Sequence, residues 1–500
     1  MSVSRLLIVI LVLSAALRLY GLADESLWLD EGFTAHRATE SLRELAIDFR
    51  HETQTVLYYV GELVWCAAFG TSEYALRLPS AVFGVAAVWG VFLLAREIFS
   101  ASVGLWAALL LAVNPFAIFY SQEARPYSLF LAAAIFSLYF LLRMLRRLDK
   151  RAILLYLLAT SIALYSHPLA PLLLLTHIVI WLIYRNDAEY PGAAHHVRQI
   201  LQIFLFAALL YLPQFLFMFG TIVSKTQGTS RAGWIPVPDW NVFQQTAQQY
   251  FMYPVLAIFA FAVLAIGAVA YLRRDRRSRR AALLLLTVVL ACVAAPWLIS
   301  VTVTPVYVVR YTLPALAAVI IALAWVFSRL PIAVRSLLVA IFLVLSGVAL
   351  NQYYFGLDKE PWRETAQFVT EKARPGDLVA LQASYVRQVF TYYFHAPAGV
   401  QVCAPWLNTE IPEAVDSASR IILVQSYDTK PQPSTAELLM RVRKNRTATQ
   451  PVEIVGRRPV NPWAAWVPPI RVTLFERTPE PAAVIDKIET ASTPDSHTSF

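Results

Sequence analysis

Ten stretches within the first 360 residues of this chain contain no Asp, Glu, Lys or Arg over a dozen to more than thirty residues: 6–17, 78–95, 98–122, 126–142, 152–184, 199–224, 240–272, 281–309, 311–328 and 336–357. A membrane-spanning helix needs about 20 mainly apolar residues, within a range of about 17–25. Run 152–184 is too long for one span, and Ser166-His167-Pro168 and Pro171 divide it in two. The expectation is therefore about eleven transmembrane helices. Composition agrees, with 58% apolar and 15% charged residues, against about 45–50% and 25% in soluble proteins. A water-soluble globule of 500 residues could not hide so much apolar surface. The fold class read from the sequence is an all-α polytopic membrane protein with a small C-terminal soluble α/β domain.

The net charge of +9 reads as basic loops on one membrane face, not as a nucleic-acid surface. The basic clusters are Arg143/Arg146/Arg147/Lys150/Arg151, Arg185/Arg198, Arg273 to Arg280, and Arg329/Arg335. With eleven spans all four share the side of the N-terminus, which the positive-inside rule makes cytoplasmic. Residues 56–69 are apolar but short and contain Glu62, so they are placed on the membrane surface; a twelfth span there would put every basic cluster outside. The first run has the short core and basic flank (Arg5) of a signal peptide, but it continues through Arg18-Leu19-Tyr20 without a cleavage site and reads as an uncleaved span. Three scattered cysteines make neither a disulfide framework nor a zinc site. The expected division is a membrane domain over 1–350, with outer loops 22–74, 120–127 and 221–250, an extracytoplasmic α/β domain over 351–477 and a disordered tail over 478–500. Within the α/β domain, 362–373 reads as an amphipathic helix, 374–377 as a turn, and 378–382 and 421–425 as buried strands.

Ionisable residues near span ends on one face are the first candidates for chemistry. Leu27-Trp28-Leu29-Asp30-Glu31-Gly32 puts two carboxylates beside a Trp in the first outer loop, although such a pair also occurs as plain loop decoration. Tyr120-Ser121-Gln122-Glu123-Ala124-Arg125-Pro126-Tyr127 crowds a Glu and an Arg into a turn at the lipid edge, where they either pair with each other or face a polar cavity. Arg310-Tyr311 stands at the outer end of a late run, where an Arg also snorkels to headgroups. Arg77 and His167 lie at equivalent depth, and Lys225 and Arg231 sit in the third outer loop. Carboxylates, cations and aromatics on one outer face suit a lipid-linked anionic substrate: cations hold its phosphate, and a carboxylate takes a proton from an attacking group.

These residues resemble those of the GT-C-type multi-pass glycosyltransferases of family 39 and their bacterial relatives, a superfamily that includes protein O-mannosyltransferases, the lipid A aminoarabinose transferase and rhizobial lipopolysaccharide galacturonosyltransferases. The likeness covers about residues 1–350 in layout and is strongest over 21–143. It is carried by Ser26-Leu27-Trp28-Leu29-Asp30-Glu31, Tyr74-Ala75-Leu76-Arg77-Leu78-Pro79-Ser80 and Tyr120 to Leu129. The resemblance implies transfer of a hexosyl- or pentosyl-type sugar from a polyprenyl-phosphate-linked donor to an envelope acceptor (lipid, glycan or protein) on the outer face, with inversion. It makes Asp30 the general base with Glu31 beside it, Glu123 an assisting acid, and Arg310-Tyr311 the holder of the donor phosphate, helped by Arg125, Lys225 and Arg231. Arg77, Tyr127, His167 and Gln54 are further substrate-site candidates. Relatives often carry His-Pro-Pro before Leu-Tyr-Tyr; here Gln54-Thr55-Val56 precede Leu57-Tyr58-Tyr59, and His51 stands three positions too early.

Some relatives use a divalent cation near the carboxylates, but the sequence shows no strong ligand set, no Walker motif and no GxGxxG. No cofactor is certain, and metal dependence, sugar, acceptor and oligomeric state stay open. The expected location is the inner or plasma membrane, with the N-terminus cytoplasmic and the C-terminal domain outside by the span count and the positive-inside rule. The rivals are a transporter or flippase of lipid-linked sugars, which calls for mid-membrane charges and an internal repeat, and a non-catalytic scaffold indifferent to Asp30 and Glu123.

Overall fold

The computed structural model describes residues 2–49, 54–226, 235–271, 276–356, 359–404, 413–426, 433–455 and 469–478. It forms two compact units: one holds residues 1–363, 388–393 and 455–467, the other 364–387, 394–454 and 468–500. The division falls after Arg363, later than the expected boundary near residue 351, because a short segment beyond the last long helix packs on the membrane unit.

The membrane unit is helical. Its elements are α1 (Val3–Leu19), α2 (Leu29–Arg37), α3 (Leu42–Phe49), α4 (Leu57–Phe69), α5 (Glu73–Ile98), α6 (Ala101–Ala112), α7 (Pro115–Ser121), α8 (Tyr127–Arg146), α9 (Lys150–Leu164), α10 (Leu172–Tyr184), α11 (Pro191–His195), α12 (Val197–Thr226), α13 (Asn241–Gln249), α14 (Pro254–Tyr271), α15 (Arg276–Val289), α16 (Ala295–Thr302), α17 (Leu313–Arg329) and α18 (Ile332–Gly356). A π turn, Leu290–Ala294, joins α15 to α16. Among the described residues six helices are long and apolar enough to cross a membrane, or eight if each bent pair is one span. That is fewer than the eleven read from the sequence. The three remaining runs became α1, α9 and α10, of 17, 15 and 13 residues, because local signals end them early. Asp149 caps the start of α9, and the stretch holding Ser166, Pro168 and Pro171 separates α9 from α10.

The core is rich in small side chains. Ala107, Ala108 and Ala112 on α6 and Ala315, Ala317 and Ala318 on α17 are all buried, and they let the two helices pack closely where lipid supplies no hydrophobic drive. The bent pair α6–α7 turns through 64°. Asn114 caps α7 by accepting from Ala117 N at 2.8 Å, and Pro115 takes the first helical position. Arg18, buried at the end of α1, donates to the carbonyls of Ala112 (3.1 Å) and Leu111 (3.4 Å) and to Ser121 Oγ (3.2 Å). It satisfies the acceptors that the bend sets free. A Cβ at Gly84 would collide with the Ser121 side chain and this guanidinium. The bend ends at Gln122 and Glu123, so its geometry aims the second outer loop.

The second unit starts within α19 (Trp362–Lys372) and holds β1 (Leu378–Leu381), β2 (Gln401–Cys403), α21 (Ala414–Ser417), β3 (Arg420–Gln425), α22 (Pro433–Arg443), β4 (Arg446–Ala448), β5 (Val452–Ile454) and β6 (Ile470–Arg477), while α20 (Arg387–Tyr393), between β1 and β2 in the chain, belongs from residue 388 to the membrane unit. The strand order is β2-β1-β3-β6-β4, with β5 also on β6. β1 runs parallel to β2 and β3, and β6 antiparallel to β3. β1 and β3 are buried almost throughout, as continuous apolar runs in a covered sheet should be. Residues 479–500 lie outside the described residues.

Candidate active site

Asp30 and Glu31 occupy the first turn of α2, where the helix dipole favours negative charge. Glu31 is fully buried and its acceptor sites are filled. Its carboxylate takes Arg77 Nε and Nη2, each at 2.7 Å, Ala124 N at 2.8 Å and Lys359 Nζ at 3.1 Å. Arg77 spends its other donors on the carbonyls of Leu22 (3.0 Å), Glu25 (2.9 Å) and Ser26 (3.0 Å). A guanidinium has five N–H donors, and all five are used. Burial disfavours the Glu31 carboxylate, but Arg77 and then Lys359 outweigh it and bring the carboxyl down to about 2. Glu31, expected beside the base, and Arg77, expected at the substrate, thus have their hydrogen-bonding sites filled by one another and by their neighbours. Together they lock α2 and the second outer loop onto α5.

Asp30 points the other way. Its side chain is 20% exposed, against 0% for Glu31, so Asp30 is the one a substrate can reach. Arg310 Nη2 lies 3.4 Å from Asp30 Oδ2, and Arg125 Nη2 lies 3.7 Å from it. Arg125 also donates to the Asp30 carbonyl at 3.2 Å. The Arg310 guanidinium is ringed by Trp28 (5.7 Å), Tyr127 (5.7 Å) and Tyr311 (5.6 Å), and Arg125 lies over Tyr59 (5.9 Å) and Tyr127 (5.8 Å). Such aromatic faces hold cations in place without neutralising them.

Arg310 sits on irregular backbone held from several sides. Ser300 Oγ accepts from Val306 N and Tyr307 N, each at 2.9 Å. Tyr307 OH meets Thr246 Oγ1 at 2.7 Å, and Tyr250 OH meets Thr312 Oγ1 at 2.7 Å. These bonds fix the 3-10 turn Val309–Thr312 and aim Arg310 at α2.

Glu123 lies behind this cluster, 1% exposed, and its Oε2 has no hydrogen-bond partner. Burial pushes its carboxyl up to about 7, against the opposing pull of Lys359. Of the two alternatives for this turn, Glu123 and Arg125 do not take the side-chain pairing: Arg125 turns to Asp30 instead.

His167 is buried, stacked on Phe130 (4.7 Å) and edge-on to Tyr311 (4.5 Å). Its Nδ1 accepts from Leu169 N at 3.2 Å, so it supports Tyr311 from behind. Gln54 Oε1 accepts from Arg37 Nη1 at 3.2 Å and from Tyr59 OH, so it bears on the cluster only through Tyr59. His51, Arg231 and the Lys225 side chain lie outside the described residues.

The sequence reading missed the segment after α18. Lys359 N donates to Glu25 Oε2 at 2.9 Å, and Glu360 Oε2 accepts from Leu29 N at 3.2 Å. Glu360 is buried, which pushes its carboxyl up to about 7. Arg363 pairs with Glu73 at 2.7 Å. On α20, Tyr393 OH accepts from Leu27 N at 2.7 Å, and Val389 lies against Gly32. A Cβ at Gly32 would run into the Val389 backbone. Gly32→Ala is therefore expected to lower stability by about 1–3 kcal/mol, the usual range for overpacking. Thermal unfolding of the detergent-solubilised protein checks it; an unchanged midpoint would refute the close approach. The available signal was a dense charged and aromatic stretch, Lys359-Glu360-Pro361-Trp362-Arg363, directly after a span.

Residues 56–217 match the family model of dolichyl-phosphate-mannose-protein mannosyltransferases. The fold is similar to that of ArnT from Cupriavidus metallidurans bound to undecaprenyl phosphate, at 14% identity and TM-score 0.58, over 93% of this chain and 97% of that one. The fold is equally similar to that of the same ArnT in the apo state, also at 14% identity, with TM-score 0.59 over 93% and 97% of the two chains. It is also similar to that of the oligosaccharyltransferase AglB from Archaeoglobus fulgidus in complex with an inhibitory peptide and a dolichol-phosphate, at 12% identity and TM-score 0.54, over 84% and 69%. No curated protein matches this chain in sequence. The A. fulgidus oligosaccharyltransferase has also been solved with Zn and sulfate, at 13% identity and TM-score 0.52, over 84% and 67%. Among the described residues no three His, Cys, Asp or Glu side chains are grouped to hold a metal ion, and Asp30 faces two guanidiniums.

Proposed function

We propose that this transferase moves a hexosyl or pentosyl unit from a polyprenyl phosphate to a hydroxyl of an envelope acceptor, at the end of the helical bundle where Asp30, Arg125 and Arg310 meet. The observation that carries this reading is the partly exposed carboxylate with two guanidiniums, buried Arg125 and half-buried Arg310, on one of its oxygens. An arriving phosphate competes with Asp30 for these cations and frees its oxygen. The acceptor oxygen then attacks the anomeric carbon from the face opposite the phosphate. The bond from that carbon to the phosphate oxygen breaks, the acceptor proton passes to Asp30, and the polyprenyl phosphate leaves with its charge held by Arg310 and Arg125. The anomeric centre inverts. The basic loops and the positive-inside rule support an inner or plasma membrane with a cytoplasmic N-terminus and this site on the outer face. The α/β domain would then be extracytoplasmic.

The test supplies protein-containing membranes with polyprenyl-phosphate-linked sugars and cell-envelope acceptor, and follows sugar transfer. Arg310→Gln is expected to reduce the rate by about 10²–10³-fold, the usual loss for one pre-set donor to a developing charge. Transfer at wild-type rate by folded Arg310→Gln protein would remove Arg310 from the phosphate site.

A further inference from the structure

Lys359 stands where nothing in the proposed reaction requires a cation. It is buried, and its ammonium lies 3.1 Å from Glu31 Oε2 and 3.4 Å from the Gln122 carbonyl, the peptide group that leads into Glu123. Phe119 covers it at 5.8 Å. Its backbone is tied to Glu25, and Tyr353 OH, on α18, donates to Gln122 Oε1 at 2.6 Å. A lysine buried and bound in this way marks a fixed point, because burying a charge is tolerated only when it is paired.

We propose that Lys359 is a positioning residue for sugar transfer: it clasps Glu31 to the second outer loop and, through its charge, governs whether the buried carboxyl of Glu123 is ionised when the lipid phosphate is bound. The proposal rests on the reading of the site as a polyprenyl-phosphate site. The groups acting on Glu123 are Lys359 after α18, Glu31 and Asp30 on α2, Arg310 on the 3-10 turn, Tyr120 on α7 and Tyr353 on α18. Lys359 and Arg310 favour its carboxylate; burial, Glu31 and Asp30 favour its neutral form. Neutral Glu123 accommodates a phosphate nearby and ionised Glu123 repels it. Removing Lys359 therefore keeps Glu123 neutral to higher pH, and removing the Glu31 charge does the reverse.

The experiment measures binding of undecaprenyl phosphate to the full-length protein in detergent across neutral pH, in wild type and in Lys359→Met, Lys359→Arg, Glu31→Gln and Glu123→Gln. The lipid's own phosphate titrates identically in all of them, so Glu123→Gln, which lacks the carboxyl, supplies the reference curve. Relative to it, wild type should lose affinity near the Glu123 transition. Lys359→Met should move that transition up by about one pH unit, within the range for a neighbouring charge. Lys359→Arg should leave it near wild type, and Glu31→Gln should move it down. Should Lys359→Met fail to assemble, Lys359→Gln makes the same test. A residue that only braces the fold would weaken binding at every pH without moving the transition, and a transition unmoved by Lys359→Met or Lys359→Gln overturns the proposal. Failure of the wild type to bind undecaprenyl phosphate at any pH would instead overturn the lipid-phosphate reading, and the proposal with it.

Discussion

Asp30→Asn is expected to lower the rate of sugar transfer by about 10²–10⁴-fold, the span over which a positioned general base contributes, while the protein still folds and still binds its lipid donor. The substitution keeps the shape of the side chain and an oxygen for Arg310, 3.4 Å away. It removes the ability to take a proton. Because Asp30 sits at the edge of the buried cluster and not inside it, little packing depends on its charge. The loss should therefore appear in kcat, with KM for the donor nearly constant, as expected when an interaction made only in the transition state is removed. The measurement is initial-rate transfer with membranes or purified protein, alongside a thermal scan to show that the variant is folded. Folded Asp30→Asn protein that transfers at the wild-type rate would eliminate Asp30 as the base and leave Glu123 as the next carboxyl to test. Glu31→Gln should behave quite differently, because Glu31 cannot meet a substrate and its loss falls on assembly.

The contrast between these neighbours shows what a linear sequence conveys. Asp30, Glu123, Arg125 and Arg310 were legible because ionisable groups beside long apolar runs are expensive and therefore few. The span pattern also placed them at one end of the bundle. Only the resemblance singled out Asp30; that Glu31 turns inward and Asp30 toward solvent was not legible in the residues themselves. It depends on Arg77, 46 positions away, and on the 3.6-residue helical period that turns adjacent side chains apart. Arg18 looked like the flank of a first span, yet it repairs the bend between α6 and α7, and that bend leaves no simple mark in hydropathy. Lys359 and Glu360 looked like the start of a soluble domain. Their place comes from contacts with residues more than 200 positions away, which local pattern does not encode. In the second unit, the helix near residue 362 and the strands near 378 and 421 were readable, since apolar runs and the turn at Gly376 mark them directly.

Arg77→Met should be the most damaging single change in the membrane unit. It strands Glu31 in a buried site with Lys359 as its remaining charged partner, and it leaves the carbonyls of Leu22, Glu25 and Ser26 without their donor. Removing one partner of a buried ion pair typically costs about 3–5 kcal/mol, a large share of the roughly 5–15 kcal/mol by which a folded domain is stable. Little correctly assembled protein is expected in membranes. Arg77→Lys keeps the charge but not the five-donor fork, which reaches a carboxylate and three carbonyls at once, so it should fall between wild type and Arg77→Met. The double variant Glu31→Gln with Arg77→Met removes the stranded charge along with its partner. It should therefore recover part of the stability lost in Arg77→Met, a coupling that independent sites would not show. Thermal unfolding and size-exclusion profiles of the four proteins in one detergent settle the order. If Arg77→Met melts with the wild type, the Glu31–Arg77 pair does not hold the first outer loop, and the orientation of Asp30 must be set by the contacts from Glu360 and Tyr393 instead.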